Sequence, residues 1–355
     1  MDTRPDEAPR GRGTGLNPAN RFEELAYDWD EDADPRERPA PKTRFFRDAA
    51  KSLLTKNDSP DLSFTWSLNP YRGCEHGCVY CYARPYHEYL GLSSGLDFET
   101  KIFVKEDAPR LLAAELSKPS WTGETIALGG VTDCYQPIER KLGLTRRVLE
   151  VLADARNPCG FVTKNALVTR DLDVLQELAR HGAVRVYLTL TTLDAELSRR
   201  LEPRASTPAA RLDALRVLAK AGVTVGVMTA PLILGLNDHE LPALLEAAAD
   251  AGAVTAGFVP LRLPHQLGPL FEDWLERHYP DRKAKVLSQI AAIRGGRLND
   301  PRFGTRMRGE GVFADHLAAL FKLTCRRLGL DAAKLESMEA SSFRRPLNGG
   351  QLRLL

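Results

Sequence analysis

Three things are scarce in this sequence. The first is a long apolar run: none approaches the roughly 20 residues needed to span a bilayer, so no membrane partner is expected. The opening stretch, Met1 to Arg10, also lacks the apolar core of a secretory signal, and cytoplasmic localisation is expected. The second is charge of one sign. Lys and Arg number 49 against 47 Asp and Glu, a net charge of +2, which neither demands nor excludes a nucleic-acid partner. The third is cysteine. Six in 355 residues are too few for a disulfide scaffold, so any that cluster read as metal ligands. No repeat of roughly 20–50 residues is evident either. Apolar residues, by contrast, make up 43% of the chain. That is enough for one large α/β domain with tails.

Residues 1–60 are rich in Pro, Arg, Asp, Glu and Gly and show little periodicity. They read as a flexible, largely disordered N-terminal extension, with Arg44–Leu54 as a short helix. From about residue 62 strands and helices alternate. Strands are expected at Phe64–Leu68, Glu124–Leu128, Gly160–Thr163, Val184–Leu190, Val223–Met228 and Val254–Leu261. Helices are expected at Ala108–Ser117, Leu144–Ala155, Leu172–Arg180, Pro208–Ala221 and Asp238–Ala251. Thr207 and Pro208 form a cap and first-turn pair, and Gly222 and Gly252 close two of the helices. Such alternation gives a parallel sheet with right-handed crossovers, either doubly wound or a partial barrel. In both, ligands gather at the carboxyl ends of the strands. The body spans 61–265. Residues 266–340 read as a helical C-terminal extension with an arginine-rich loop at Gly295–Gly311, and 341–355 as a tail.

Three cysteines stand together in Gly73-Cys74-Glu75-His76-Gly77-Cys78-Val79-Tyr80-Cys81-Tyr82. A loop this short brings three thiolates to one face. Iron–sulfur clusters usually take four cysteines, so three local ones leave one iron open to a non-protein ligand. Arg72 and the amides of Gly73 and Gly77 favour gathered thiolates. A structural zinc site would draw a fourth ligand from His76 or His87, with poor geometry at His76. A redox dithiol would use Cys78 and Cys81 alone and leave Cys74 surplus.

The spacing Cys-x3-Cys-x-aromatic-Cys after the first strand, with Tyr80 as the aromatic, resembles the signature of the radical S-adenosylmethionine (SAM) superfamily. The resemblance implies an α/β fold with a partial (β/α)6 barrel. It implies a 4Fe–4S cluster on Cys74, Cys78 and Cys81 as the metal site, and SAM chelated by the open iron. It further implies reductive cleavage of SAM to methionine and a 5′-deoxyadenosyl radical that abstracts a substrate hydrogen. An electron donor such as flavodoxin or ferredoxin is then a required partner.

The downstream strand ends fit that site in order. Gly129, Gly130, Thr132 and Asp133 follow the second strand, where the common family motif is Gly-Gly-Glu, and reach the SAM amino group. The alternative is a chain turn capped by Asp133. Lys164 ends the third strand and pairs with the SAM carboxylate, or is simply solvated. Thr189 and Thr191 share one strand face and reach the ribose, or are ordinary strand residues. Glu202-Pro203-Arg204 precedes the capped helix and brings Glu202 to the cofactor. Val227–Asp238, including Ala230-Pro231, resembles the apolar segment that lines the adenine. Taken together, residues 66–235 resemble spore photoproduct lyase and a bacterial group of related proteins. One departure stands out: Gly130 occupies the place of the lyase's hydrogen-donating cysteine. Cys134 and Tyr135 are candidate radical-relay or hydrogen-donating residues; the alternative for Cys134 is a small buried side chain. Tyr82, Tyr86 and His87 shield the cluster or pack. The substrate is open. Nucleic acid is one candidate, through Arg294, Arg297, Arg302, Arg306 and Arg308 around Phe303, against a plain solvated loop.

Overall fold

The computed structural model describes residues 9–22, 42–330, 338 and 340–346. Ten strands occur among them: β1 (Arg44–Arg47), β2 (Leu54–Lys56), β3 (Trp66–Leu68), β4 (Tyr71–Arg72), β5 (Lys101–Val104), β6 (Ile126–Leu128), β7 (Cys159–Thr163), β8 (Val184–Thr189), β9 (Thr224–Leu232) and β10 (Thr255–Pro260). The main sheet has the order β10-β9-β8-β7-β6-β3-β2. Every pair from β3 to β10 is parallel, and β2 adds antiparallel at the edge. The sheet stays open between β10 and β2, so the architecture is α/β with a partial, unclosed (β/α)6 barrel.

The crossovers form where apolar stripes recur at helical spacing. Helix Leu144–Ala155 buries Leu144, Val148, Leu149 and Leu152. Helix Pro208–Lys220 buries Ala214, Leu215 and Leu218, and its Thr207 hydroxyl accepts from the Ala210 amide at 3.3 Å. Both stripes belong to the one core cluster that also holds Val184, Val186, Leu188, Val225 and Val227 of the sheet. Each such side chain contributes about 1.5–3 kcal/mol on burial.

A second apolar cluster positions the site. Helices Leu267–His278 and Pro280–Ala292 of the C-terminal extension lie outside the sheet. Their Phe271, Trp274, Leu275, Val286 and Ile290 pack with Cys78, Val79 and Tyr80 of the cysteine loop. Trp274 is fully buried, and its indole donates to the Arg200 carbonyl at 3.0 Å. The extension is therefore a floor under the loop. No helix among the described residues is long and apolar enough to cross a membrane.

The N-terminal extension departs from expectation. Arg44–Arg47 is a strand, not the start of a helix, and pairs in parallel with β5. Arg-Phe-Phe-Arg carries two aromatics suited to a pleated surface, and Phe46 stacks on Phe103 with centroids 5.2 Å apart. Residues 9–22 are strapped across the cysteine loop rather than loose. Asn20 donates to the carbonyls of Glu88 and Leu92, Leu96 donates to the Leu16 carbonyl, and the Gly13 amide donates to the Glu99 carboxylate at 3.0 Å. The approach at Gly13 is so close that a Cβ there would lie 1.6 Å from the Gly77 carbonyl oxygen. The expected disorder of residues 1–8 and 23–41 lies outside the described residues.

Candidate metal and cofactor site

The cysteine loop leaves β4 and curls back on itself. Gly77 makes the bend with φ +70°, and a Cβ there would meet the Glu99 carboxylate at 2.9 Å. The three thiols are free, with Cys74 and Cys78 buried and Cys81 half-buried. Burial pushes all three above the usual thiol range. Cys78 and Cys81 raise Cys74 further, while Lys164 opposes the rise at Cys78 and Cys81. Such thiols stay protonated until a cation compensates them. Soft sulfur donors in this state fit an iron–sulfur group that brings its own positive charge.

Among the described residues no three His, Cys, Asp or Glu side chains converge as a single ion requires. A 4Fe–4S cluster asks for a wider set, because each thiolate binds a different iron. The zinc alternative also loses its histidines. Both His76 ring nitrogens are engaged, by Asp133 at 3.2 Å and Asn165 at 3.3 Å. His87 packs edge-on to Phe98 and Phe103, and burial lowers it to about 4.

Thr132 and Asp133 do not face the site as free acceptors. The Thr132 hydroxyl donates to the Gly73 carbonyl at 2.7 Å. Asp133 accepts from the Tyr135 amide, the Thr163 hydroxyl, the Lys164 amide and His76, which fills both oxygens. Gln136 completes this clamp by accepting from the Glu75 amide at 2.9 Å. The end of β6 thus grips the cysteine loop. Burial pushes the Asp133 carboxyl up, but His76 and the other donors outweigh it and hold it at about 2, below an ordinary 3.8. A carboxyl depressed on folding stabilises the protein above its unfolded value, and that stability is lost as pH falls through the folded value. The window is therefore about pH 4 down to 2, and the term is about 2 kcal/mol. Urea midpoints from pH 5 to 2 should fall more steeply for the native chain than for Asp133→Asn; equal slopes would contradict the clamp.

Glu202 is the hub of a second buried network. Its carboxylate accepts from the Tyr80 hydroxyl, from Thr191 at 2.5 Å and from Arg211. Arg211 also donates to the Thr189 carbonyl at 3.0 Å. Glu202 therefore acts through Tyr80 and Thr191 and presents no free oxygen. Lys164 lies against this network with its ammonium over the Tyr80 ring, 5.8 Å from the centroid. Burial lowers Lys164, but Cys78 and Glu202 outweigh it and raise the group overall. Its ammonium makes no hydrogen bond or ion pair among the described residues. Gly130 flanks the same space, with only Ser67 and Asn69 within 4 Å of a Cβ position, and its carbonyl accepts from the Tyr82 hydroxyl at 2.6 Å.

The structure does not bring Cys134 and Tyr135 to this group. Cys134 is fully buried in the main core, and the Tyr135 ring packs on Phe161 while its hydroxyl donates to Asp171 at 3.0 Å. The chain turns at Asp133, which directs both side chains away from the cysteines. Three of the five arginines of the Gly295–Gly311 region and its lead-in, Arg294, Arg302 and Arg306, are committed internally, while Arg297 and Arg308 are exposed. Arg294 is buried and donates to the carbonyls of Pro260, Leu261, Thr305 and Arg306. Arg302 pairs with Asp300 and Glu310, and Arg306 with Asp61. Sequence reasoning missed Arg211, Gln136 and the 9–22 strap, and read His76 only as a zinc-ligand candidate rather than as a partner of Asp133 and Asn165. Arg211 did leave a signal, a charge on an otherwise apolar helix stripe with Ala214, Leu215 and Leu218.

Comparison with known proteins gives the family of the chain. The model of the radical SAM superfamily matches residues 68–248, and the chain belongs to that superfamily. Its members use a 4Fe–4S cluster and SAM. An uncharacterized protein of Mycobacterium tuberculosis is 39% identical over 234 residues, covering 65% of this chain and 69% of that protein. One from Methanocaldococcus jannaschii is 27% identical over 253 residues, covering 71% and 90%. Among solved structures, spore photoproduct lyase complexed with dinucleoside spore photoproduct shares the fold, with TM-score 0.58, 18% identity and 80% and 79% coverage.

Proposed function

We propose that Cys74, Cys78 and Cys81 hold the cluster and that the chain cleaves SAM reductively to abstract hydrogen from a substrate. When bound, cluster and SAM supply one-electron cleavage to methionine and a 5′-deoxyadenosyl radical. The observation that carries this reading is Lys164, a half-buried residue beside Cys78 and Cys81 whose ammonium makes no hydrogen bond or ion pair among the described residues. Its natural complement is the carboxylate of SAM. Carbonyls at Gly129–Gly130 accept from the amino group. The Thr191 hydroxyl, its proton committed to Glu202, accepts from the ribose beside Thr189. Lys164→Met should raise the Kd for SAM about 10- to 100-fold while leaving the iron content intact. Unchanged SAM affinity would remove Lys164 from the site.

A second observation bears on the substrate. Tyr82, Tyr86 and Tyr89 are 46, 52 and 69% exposed beside the loop. Phe22 stacks on Tyr89 at 5.0 Å, and Arg262 lies 5.4 Å over Tyr82. Aromatics interleaved with arginine suit stacked bases and their phosphates, which favours a single-stranded nucleic acid. Tyr86→Ala/Tyr89→Ala should then weaken oligonucleotide binding, measured by anisotropy, about tenfold or more; equal binding would dismiss it. A photoproduct-lyase reaction is the weaker form of this reading, because Gly130 offers no thiol and Cys134 is sealed in the core.

A further inference from the structure

Past Thr189 the parallel ladder between β8 and β9 runs out. Its last register pair is Thr189 with Met228, and one further bond joins the Leu190 amide to the Met228 carbonyl. Strands twist, so ends without a ladder diverge. Here a side chain takes over. Asn237 lies in the turn after β9 and is fully buried. Its Oδ1 accepts from the Ile233 amide at 2.6 Å, and its Nδ2 donates to the carbonyls of Pro231 at 3.1 Å and Thr191 at 2.7 Å. An amide that meets one N–H and two carbonyls has a single orientation that satisfies all three. It acts as a detached peptide unit that extends the ladder beyond its end.

The strand ends it joins are the two walls of the proposed nucleoside pocket. On one side stands Thr191, the ribose acceptor proposed above, with its hydroxyl bonded to Glu202 at 2.5 Å. On the other, Pro231–Ile233 lie in the segment that resembles the adenine-lining segment of the family. Ile233 is fully buried in the apolar cluster that holds Cys78, Val79 and Tyr80. Glu202 fixes the Thr191 hydroxyl and Asn237 fixes the Thr191 carbonyl. Gly235 lets the turn close, with φ +79° and its amide donating to the Asp238 carboxylate at 2.8 Å. Glu240 grips the β8 turn farther out, accepting from the Thr192 hydroxyl at 2.6 Å and the Leu193 amide at 2.7 Å.

We infer that Asn237 is a positioning residue: it sets the separation of Thr191 from Pro231–Ile233, and through it the fit of the adenosine half of SAM, without touching SAM itself. The inference rests on the SAM reading proposed above. Both amide hydrogens and the oxygen of Asn237 are spent on backbone groups. In that reading the methionine half is held elsewhere, at Lys164 and the open iron. Loss of Asn237 therefore weakens one half of the cofactor and spares the other, because a pocket wall loses its register when the layer behind it is removed.

The test uses the full chain with its cluster reconstituted, and measures binding of SAM, 5′-deoxyadenosine and L-methionine by calorimetry well below the unfolding midpoint. Asn237→Ala should weaken SAM and 5′-deoxyadenosine alike, by about tenfold, while methionine affinity and iron content stay within about twofold of native. Asn237→Ser, whose one short hydroxyl cannot bond both strand ends, is gentler on the fold and should show the same selective loss. Leu244→Ala truncates the buried face of helix Leu241–Asp250 away from the pocket. It should lower Tm and leave all three affinities unchanged. Native 5′-deoxyadenosine affinity in either folded Asn237 variant, or methionine weakened as much as 5′-deoxyadenosine, overturns the positioning role. A nucleoside loss of the same size in Leu244→Ala overturns it too, because lowered stability alone then accounts for the effect. A native chain that binds neither SAM nor 5′-deoxyadenosine overturns the SAM reading, and this inference with it.

Discussion

Cys78→Ala is expected to lose both the cluster and all SAM cleavage. Cys78 is buried under Lys164 and packs with the floor helices through Val79 and Tyr80. Its loss leaves two thiolates to hold four irons, with no substitute nearby: His76 is engaged by Asp133 and Asn165, and Cys134 lies in the other core. After anaerobic reconstitution, iron and sulfide content should collapse and 5′-deoxyadenosine should fall to background. Cys134→Ala should retain both. A Cys78→Ala protein that keeps a stable four-iron cluster would contradict the ligand assignment.

The second large effect is on stability. Arg211→Leu strips the charge partner from Glu202, whose side chain is 0% exposed. An unpaired buried carboxylate costs about 3–5 kcal/mol, whereas removing both charges leaves no orphan. Urea denaturation should therefore show a large loss for Arg211→Leu and partial recovery for Glu202→Leu/Arg211→Leu. The recovery stays partial because Tyr80 and Thr191 lose their acceptor. A loss below about 1 kcal/mol would mean that the pair is not the hub described.

The strands and crossover helices were legible because each rests on local apolar spacing. Helix Leu144–Ala155 matches the expected bounds, and the six core strands lie within a few residues of theirs. Helix Ala195–Leu201 was readable but overlooked: Asp194 accepts from the amides of Glu196 and Leu197, an ordinary cap signal. The strap at 9–22 was not legible. It is held by backbone hydrogen bonds and close approach at Gly13, and neither leaves a periodic pattern. The cysteine triad stood out because its three thiols are local in sequence. Glu202, Tyr80 and Arg211 meet only through the fold, so the spending of Glu202 on structure could not be read from the chain. Asp133 lies beside the cysteine loop, but its role as a clamp was not legible, because its four donors come from three separate segments.

The most direct test of the central claim is SAM turnover by the anaerobically reconstituted chain. The account predicts a brown protein that converts SAM to 5′-deoxyadenosine and methionine when dithionite is added and not otherwise. A full cluster that never cleaves SAM would contradict it and leave the cysteine loop as an iron–sulfur site without this chemistry.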